Sequence, residues 1–472
     1  MARSSPEAAA RTSAGYSSGV TFMAASVSMS TEMIRRLLSI VLGLALMVPA
    51  VARGQTPLTL QEAIERATAS NPEARIAAIA EDEAVQRVTQ ARAGYFPRVD
   101  ASEMWQRGNQ PVYVFGSLLA QRRFTADDFA LAALNRPDAI DNFRVAITVE
   151  QSLWDGGQTR ARVAAARAGV DLAASGRRRA GHSLAVAATR AYGDVLVAEA
   201  SLRAAEAALA SADADLSRTI HRRDAGLVTD ADVLAVEVHR AAVQESIIRA
   251  RAAVQIGQAE LNRVMGAPLD TTYDLPAVPP LPPASLPEIA TLVAEALANR
   301  PEAADATLRE RLSKTEEDVA KAAFQPQVVA QAGWEANGGT WGTRAGSWVV
   351  GTGVRFNVFR GFADKARLAE AMSATERRAL EREQVLIGIR VEVRTAVAAL
   401  EATRAREVLA QRVVAQAEEG QRIVRDRYEQ GLADGTALTR SAEHVVQATQ
   451  QQVHARVDVQ LAAATLERVL GR

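Results

Sequence analysis

The chain has 472 residues, and its 55 basic and 55 acidic side chains leave a formal net charge of zero. That balance excludes the basic excess a nucleic-acid partner would select, and the absence of cysteine excludes disulfides, thiol chemistry, cysteine metal sites and a lipidated N-terminal cysteine. Only 4% of residues are aromatic and alanine is abundant, a composition suited to long, closely packed helices.

Residues 33–52 carry the pattern of a secretory signal. Arg35 and Arg36 form its charged start, Leu37 to Val48 its apolar stretch, and Ala50 and Ala52 its A-x-A cleavage pattern. Cleavage is expected after Ala52. The competing reading is a single anchoring helix, for which the apolar run is short. The polar stretch before Met33 is foreign to such signals and makes Met33 an alternative start. Beyond residue 53 no apolar run reaches the roughly 18 residues of a transmembrane helix, so an exported chain would be periplasmic, secreted or a β-barrel of the outer membrane.

From Leu58 to Gly94, apolar residues at helical spacing predict one helix, ended by Pro97. The period then changes to two. In Phe143 to Glu150 apolar residues sit at 143, 145, 147 and 149, and residues 144, 148 and 150 are polar. Val328, Ala330, Ala332 and Trp334 repeat the pattern, as do Trp348, Val350, Val354, Phe356 and Val358. Such runs fit strands with lipid on one face and water on the other, or half-buried strands of a soluble sheet; period alone does not separate the two. Residues 107–142 read as a loop, and the glycine-rich Gly333 to Gly353 as another, exterior one.

Gly157 to about Arg223 predicts a helix of roughly 100 Å. Its seam at alternating spacings of 4 and 3 (Leu184, Ala188, Ala191, Val195, Ala198 and onward to Leu216) is that of a coiled coil. Asp224-Ala225-Gly226 supplies a turn, and Asp230 to Met265 a return helix. Seven of the 16 prolines then fall between Pro268 and Pro287, which makes that stretch an extended linker. Ala363 to Gln430, a turn at 431–435, and Thr436 to Leu470 repeat the helical pair.

The chain is therefore read as an internal duplication. Asn71-Pro72-Glu73-Ala74 returns as Arg300-Pro301-Glu302-Ala303, a shift of 301 − 72 = 229. Leu153-Trp154-Asp155-Gly156 returns as Val358-Phe359-Arg360-Gly361, a shift of 361 − 156 = 205, and Leu261 to Gly266 returns as Leu466 to Gly471. The expected organisation is a leader and signal (1–52), a first repeat (53–267), the linker (268–287) and a second repeat (288–472). Four strands cannot close a barrel alone, since about eight are needed, so three copies with twelve strands are expected to share one.

Seven segments in register carry a resemblance to the TolC-like outer-membrane efflux proteins over nearly all of residues 57–472: 58–74, 91–100, 151–162, 223–234, 260–266, 356–367 and 428–438. The resemblance implies an α+β membrane protein, a homotrimer whose twelve-stranded outer-membrane barrel continues as a periplasmic α-helical coiled-coil tube. It implies an exit duct of a tripartite small-molecule efflux system, docked to a periplasmic adaptor (membrane fusion) protein and an inner-membrane pump. The alternatives are the duct of a type I protein secretion system and a soluble periplasmic coiled-coil scaffold. Gly226, Leu227, Gly431 and Leu432 match the family's adaptor-docking tips, against the simpler reading of ordinary turns. Asp232 and Tyr428 match a polar link of the periplasmic gate, although Asp232 at a helix start also complements the dipole. The chain departs from the pattern at Ala433, where a basic residue is expected, and at Ala437 and Arg440, where some members carry a ring of aspartates. No phosphate loop or nucleophile elbow occurs, and the five histidines (182, 221, 239, 444 and 454) lack ligand-like spacing. The expectation is no enzyme, no cofactor and no metal, with outer-membrane lipid and no nucleic acid as surroundings.

Overall fold

The computed structural model describes residues 56–276, 285–430, 432–433 and 435–472. The signal pattern at 33–52, the centre of the proline-rich linker, and Gly431 lie outside the described residues.

The first helical stretch is two helices. Helix α1 (Leu60–Ser70) starts at Thr59, whose hydroxyl accepts from the Glu62 N–H while the Glu62 carboxylate accepts from the Thr59 N–H, a reciprocal cap. The continuous helix expected from Leu58 to Gly94 breaks because Pro72 drives the preceding Asn71 into extended geometry (φ −61°, ψ 136°). Pro72 then opens α2 (Pro72–Arg92) at a position where its missing N–H costs nothing, and Asn71 Oδ1 accepts from the Glu73 N–H at 2.7 Å.

Strand β1 (Arg98–Gly108) follows. The expected loop after it is partly ordered as helix α3 (Pro111–Ala120), a 3₁₀ turn at Ala126–Phe129 and a short helix at Leu131–Asn135, before β2 (Ile140–Trp154). Helix α4 (Gln158–Asp224) runs 67 residues, about 100 Å, and α5 (Asp230–Met265) returns over 36, about 54 Å. The second half holds α6 (Ile289–Asn299), α7 (Pro301–Ala322), β3 (Gln327–Gly338), β4 (Ala345–Arg355), α8 (Ala363–Glu429) and α9 (Gly435–Leu470). The glycine-rich segment Gly333 to Gly353 is mostly strand, and only residues 339–344 connect β3 to β4. Gly333, Gly338, Gly346, Gly351 and Gly353 lie within the paired strands themselves, where glycine content alone reads as a loop.

The four long strands pair antiparallel in the order β1-β2-β3-β4, leaving β1 and β4 as edges, and Thr56–Pro57 pairs parallel with Tyr273–Asp274 as a separate two-residue sheet. The register sets Val99, Val149, Ala332 and Val350 in one cross-strand row, and Ala101, Ile147, Trp334 and Trp348 in the next, all on one face. The other face carries Arg98, Glu150 and Gln331, then Asp100 and Thr148. A bulge between Ser152 and Trp154 precedes the last pair of the β2–β3 ladder, Trp154 with Val328.

The helices pack in two equivalent cores. Ala63, Ala67, Ala188, Ala191, Tyr192, Val195, Leu261 and Met265 cluster in the first. Their counterparts 229 or 205 residues on (Leu292, Ala296, Val393, Ala396, Val397, Leu400, Leu466 and Leu470) form the second. Each fully buried Leu or Met side chain contributes about 1.5–3 kcal/mol by leaving water. Helices α4 and α9 approach so closely at Gly193 that a Cβ there would lie 2.3 Å from Val457 Cγ1. Towards the strands, α4 holds α2 and α7 through Arg177–Glu81 (3.1 Å) and Arg179–Asp305 (2.9 Å). Towards the turns it holds α5 through Arg251–Glu206 at 3.4 Å.

Candidate functional site

Two regions carry the chemistry: the turns that join the long helices to their return helices, and the sheet.

Helix α4 ends where Gly226 adopts φ +74°, a left-handed conformation that glycine reaches at no steric cost. The Leu227 N–H then donates to the Arg222 carbonyl at 2.8 Å, closing the helix end. The second turn repeats this bond: the Leu432 N–H donates to the Arg427 carbonyl, also at 2.8 Å. Both leucines are thereby set outward, 68% and 64% exposed. Two apolar knobs open to solvent at matching turns are what a docking partner could cover.

Between the turns lies a cleft of about 970 Å³, lined by Arg222, Asp232, Arg427, Tyr428, Leu432 and Ala437 among others. Asp232 and Tyr428 therefore share a cleft, but within the chain they bond to different groups. Asp232 Oδ2 accepts from the Thr229 N–H at 2.8 Å and the Thr229 hydroxyl at 2.7 Å, which caps α5. The hydrogen bond from the Thr229 hydroxyl, then that from its N–H, hold the Asp232 carboxyl below the usual carboxylate range. The Tyr428 hydroxyl instead accepts from Arg222 Nη1 at 2.9 Å, and the Arg222 guanidinium lies 5.3 Å from the centre of the Tyr428 ring. Arg222 was not singled out from sequence, because its partner is 206 residues away. Its only local signal is a second basic residue beside Arg223 just before the turn. Arg440 is exposed in the second turn of α9, and Ala433 lines the cleft. A second link between the two repeats lies nearby, where His239 Nδ1 is 3.5 Å from Glu443 Oε1.

The apolar face of the sheet is uncovered within the chain: Trp348, Val350 and Val354 are 77%, 67% and 71% exposed. At the end where β1 finishes, Trp105 lies 6.4 Å from Phe143, and Phe143 lies 5.4 Å from Trp341, between ring centres. At the opposite end, exposed Tyr95, Phe96, Trp154, Phe324, Phe356 and Phe359 flank the strands. Strands of 11 residues, such as β1 and β4, span about 37 Å, or about 26 Å when tilted by about 45°, so the two collars stand about one hydrocarbon layer apart. Paired aromatic collars around an apolar band are the surface of a strand set in a membrane. No described helix is long and apolar enough to cross one. Among the described residues no group of three His, Asp or Glu side chains could hold a metal ion.

The family model described as "Outer membrane efflux protein" matches residues 63–267 and 292–472, more than half of the chain. The chain belongs to the outer membrane efflux protein family. The family is one of outer-membrane transport channels rather than enzymes. No curated protein matches in sequence. Among solved structures, a membrane protein from Pseudomonas aeruginosa is similar with a TM-score of 0.73 at 20% identity, covering 87% of this chain and 90% of that one. The Campylobacter jejuni CmeC outer membrane channel gives 0.72 at 15%, covering 87% and 85%. The outer membrane protein VceC from Vibrio cholerae gives 0.70 at 18%, covering 87% and 96%. At these identities the likeness establishes the fold: this efflux protein has the TolC-like channel fold, mostly helical with a four-stranded sheet.

Proposed function

We propose that three copies of this efflux protein close one twelve-stranded outer-membrane barrel, and that their helices continue it as a periplasmic tube. The exposed sheet carries this reading. Its apolar face has no cover in the chain, and β1 and β4 present unpaired backbone edges. In hydrocarbon each unpaired N–H or C=O costs several kcal/mol, so edges pair by closing a barrel with neighbouring copies. The polar face, with Arg98, Glu150 and Gln331, then lines water.

In this reading the duct belongs to a tripartite small-molecule efflux system. A periplasmic adaptor docks on Leu227 and Leu432 beside Gly226 and Gly431, and the cleft holding Asp232, Arg222 and Tyr428 forms the gate. Arg440 and Ala437 replace the acidic ring, which lowers the entrance's preference for cations. The long connection between β1 and β2 favours small-molecule systems over type I secretion. With no nucleotide motif in its sequence, the duct takes its energy from its partners.

The test is photocrosslinking in cells from residue 227 or 432, followed by identification of what the outer-membrane fraction captures. An adaptor accompanied by a proton-driven pump supports small-molecule efflux. An adaptor accompanied by an ATP-driven exporter assigns the duct to protein secretion. No adaptor, with the chain missing from the outer membrane, leaves the scaffold reading.

A further inference from the structure

The connection between β1 and β2 folds back over the sheet, and the side of the sheet it covers has a consequence for transport. Helix α3 packs across β3 and β4. It is pinned on the polar face: Gln121 Nε2 donates to Asn142 Oδ1 at 3.0 Å and to the Asp141 carbonyl at 2.9 Å. Asn142 Nδ2 passes the link to Asn337 Oδ1 at 2.9 Å. Asn142 and Asn337 belong to the polar rows of the ladder, and both are buried under the connection together with Ala146. Two further bonds hold the segment to the edge strands. The Tyr113 hydroxyl donates to the Gln106 carbonyl of β1 at 2.8 Å, and Arg122 Nη2 donates to the Gly346 carbonyl of β4 at 3.0 Å.

Arg122 is the point of strain. It ends α3 in the left-handed region at φ +54°, where glycine is the usual residue. A non-glycine there is strained and persists only when its surroundings hold it. What holds it is the reach of its guanidinium to β4, which a glycine would lack. Gly339 allows the close approach of the neighbouring Arg123, because a Cβ at 339 would lie 2.5 Å from Arg123 Nη1. The connection is thus fixed at three points and is no free exterior loop.

The polar face of a membrane barrel faces its lumen. Resting on the trimeric reading above, we infer that α3 and the residues after it form a constriction inside the outer mouth of the duct, one segment from each copy. The free surface of α3 is apolar, while the segment after it also exposes Arg123, Asp127 and Arg136. Val112, Leu119, Phe129 and Leu131 are exposed, while Phe124 stacks edge-on with Phe115 and Phe129 at 5.0 Å each. An apolar ring in a water-filled pore admits apolar and amphiphilic solutes more readily than hydrated ions. The specificity-determining residues of the exit are therefore Val112, Leu119, Phe129 and Leu131, with Gln121 and Arg122 positioning them. The second repeat has only residues 339–344 in the equivalent place, so the constriction belongs to the first repeat alone.

The chain has no cysteine, which permits a direct test in intact cells. Gln331→Cys places a thiol on the polar face, deeper in the barrel than α3. Its reaction with a sulfonated, membrane-impermeant maleimide added outside is timed in three backgrounds: the native connection, residues 109–139 replaced by the 339–344 hairpin sequence, and Gln121→Ala with Arg122→Ala. Labelling at least ten-fold faster in the shortened background, and several-fold faster in the double substitution, is expected. Equal rates in all three overturn the constriction. If the shortened chain fails to assemble, the double substitution alone decides in the same sense. Val112→Cys is the control for the underlying reading: no labelling from outside in assembled protein contradicts the exit itself, whichever way Gln331→Cys behaves.

Discussion

Arg222 donates to the Tyr428 hydroxyl at 2.9 Å while its guanidinium rests 5.3 Å from the Tyr428 ring centre, and this contact ties the turn of the first repeat to that of the second. The two repeats differ here in sequence: the residues 205 positions after Arg222-Arg223 are Arg427-Tyr428. The link joins two helix ends that must separate if the entrance widens. A half-exposed cation–π contact with one charge-assisted hydrogen bond contributes about 1–2 kcal/mol.

Arg222→Ala is therefore expected to raise the ion conductance of the purified channel in a planar bilayer. Tyr428→Phe, which keeps the ring and loses the hydroxyl, should raise it less. Conductance unchanged by either substitution removes this contact from the gate.

Asp232 should act on the helix start. Its carboxyl is held below the usual range by the Thr229 hydroxyl and N–H. The unfolded carboxyl titrates near ~3.9, so the cap's contribution is complete above that value and is lost as pH falls through the lower folded one. Asp232→Asn should accordingly loosen the first turn of α5 at neutral pH, seen as faster amide exchange at residues 230–233. In the native chain the same protection should fall only below the ordinary carboxylate range.

Tyr192 offers a marker of the first core. Its hydroxyl donates to the Leu58 carbonyl at 3.0 Å, and burial, then the nearby Glu199 carboxylate, push its pKa up to about 12. A raised value means that the stability held by the neutral phenol is present below the unfolded pKa of ~10 and lost as pH rises through about 12. Ultraviolet titration should show a late tyrosine step near pH 12 that is lost in Tyr192→Phe. That variant should also lose about 1 kcal/mol from the hydrogen bond.

Gly193 sets the spacing between the two repeats, because a Cβ there would meet Val457 Cγ1 at 2.3 Å. Gly193→Ala should cost about 1–3 kcal/mol through overpacking. Val457→Ala added to it should recover part of that loss in thermal melting, whereas purely additive losses would show that α4 and α9 are not in contact there.

The long helices were legible to within a residue or two. Proline is absent from them, their seam repeats over many turns, and Gly226 and Gly266 mark the ends of α4 and α5. Of the seam residues, Leu184, Ala188, Ala191, Val195, Ala198, Ala205 and Ala212 are buried. The break at Asn71–Pro72 was visible as a repeated motif but not as a junction. Its meaning appears only when α5 returns to it: Gly266, at φ +68°, leaves no room for a Cβ, which would lie 2.7 Å from the Ser70 carbonyl. Gly471 meets the carbonyl group of Asn299 in the same way. The motifs at 71 and 266 thus touch, as do those at 300 and 471. The aromatic collars were not legible, since their members are scattered from Tyr95 to Phe359 and align only once the strands pair. Helix α3 was missed because its ten residues, Pro111 to Ala120, are nearly all apolar and carry no amphipathic period. At the turns, family resemblance brought Asp232 and Tyr428 to one cleft, but Thr229 and Arg222, their partners within the chain, follow from side-chain geometry alone.

Closure of the barrel through its edge strands is the claim from which the duct, the gate and the exit constriction all follow. Pairs of cysteines, one at Asp100 or Ser102 in β1 and one at Ser347 or Val349 in β4, place thiols on the polar face at both edges of the sheet. Oxidation of outer membranes carrying this short register series should give covalent trimers on non-reducing gels for at least one pair, and only monomers for each single cysteine. Monomers for every pair would contradict a barrel closed by three copies.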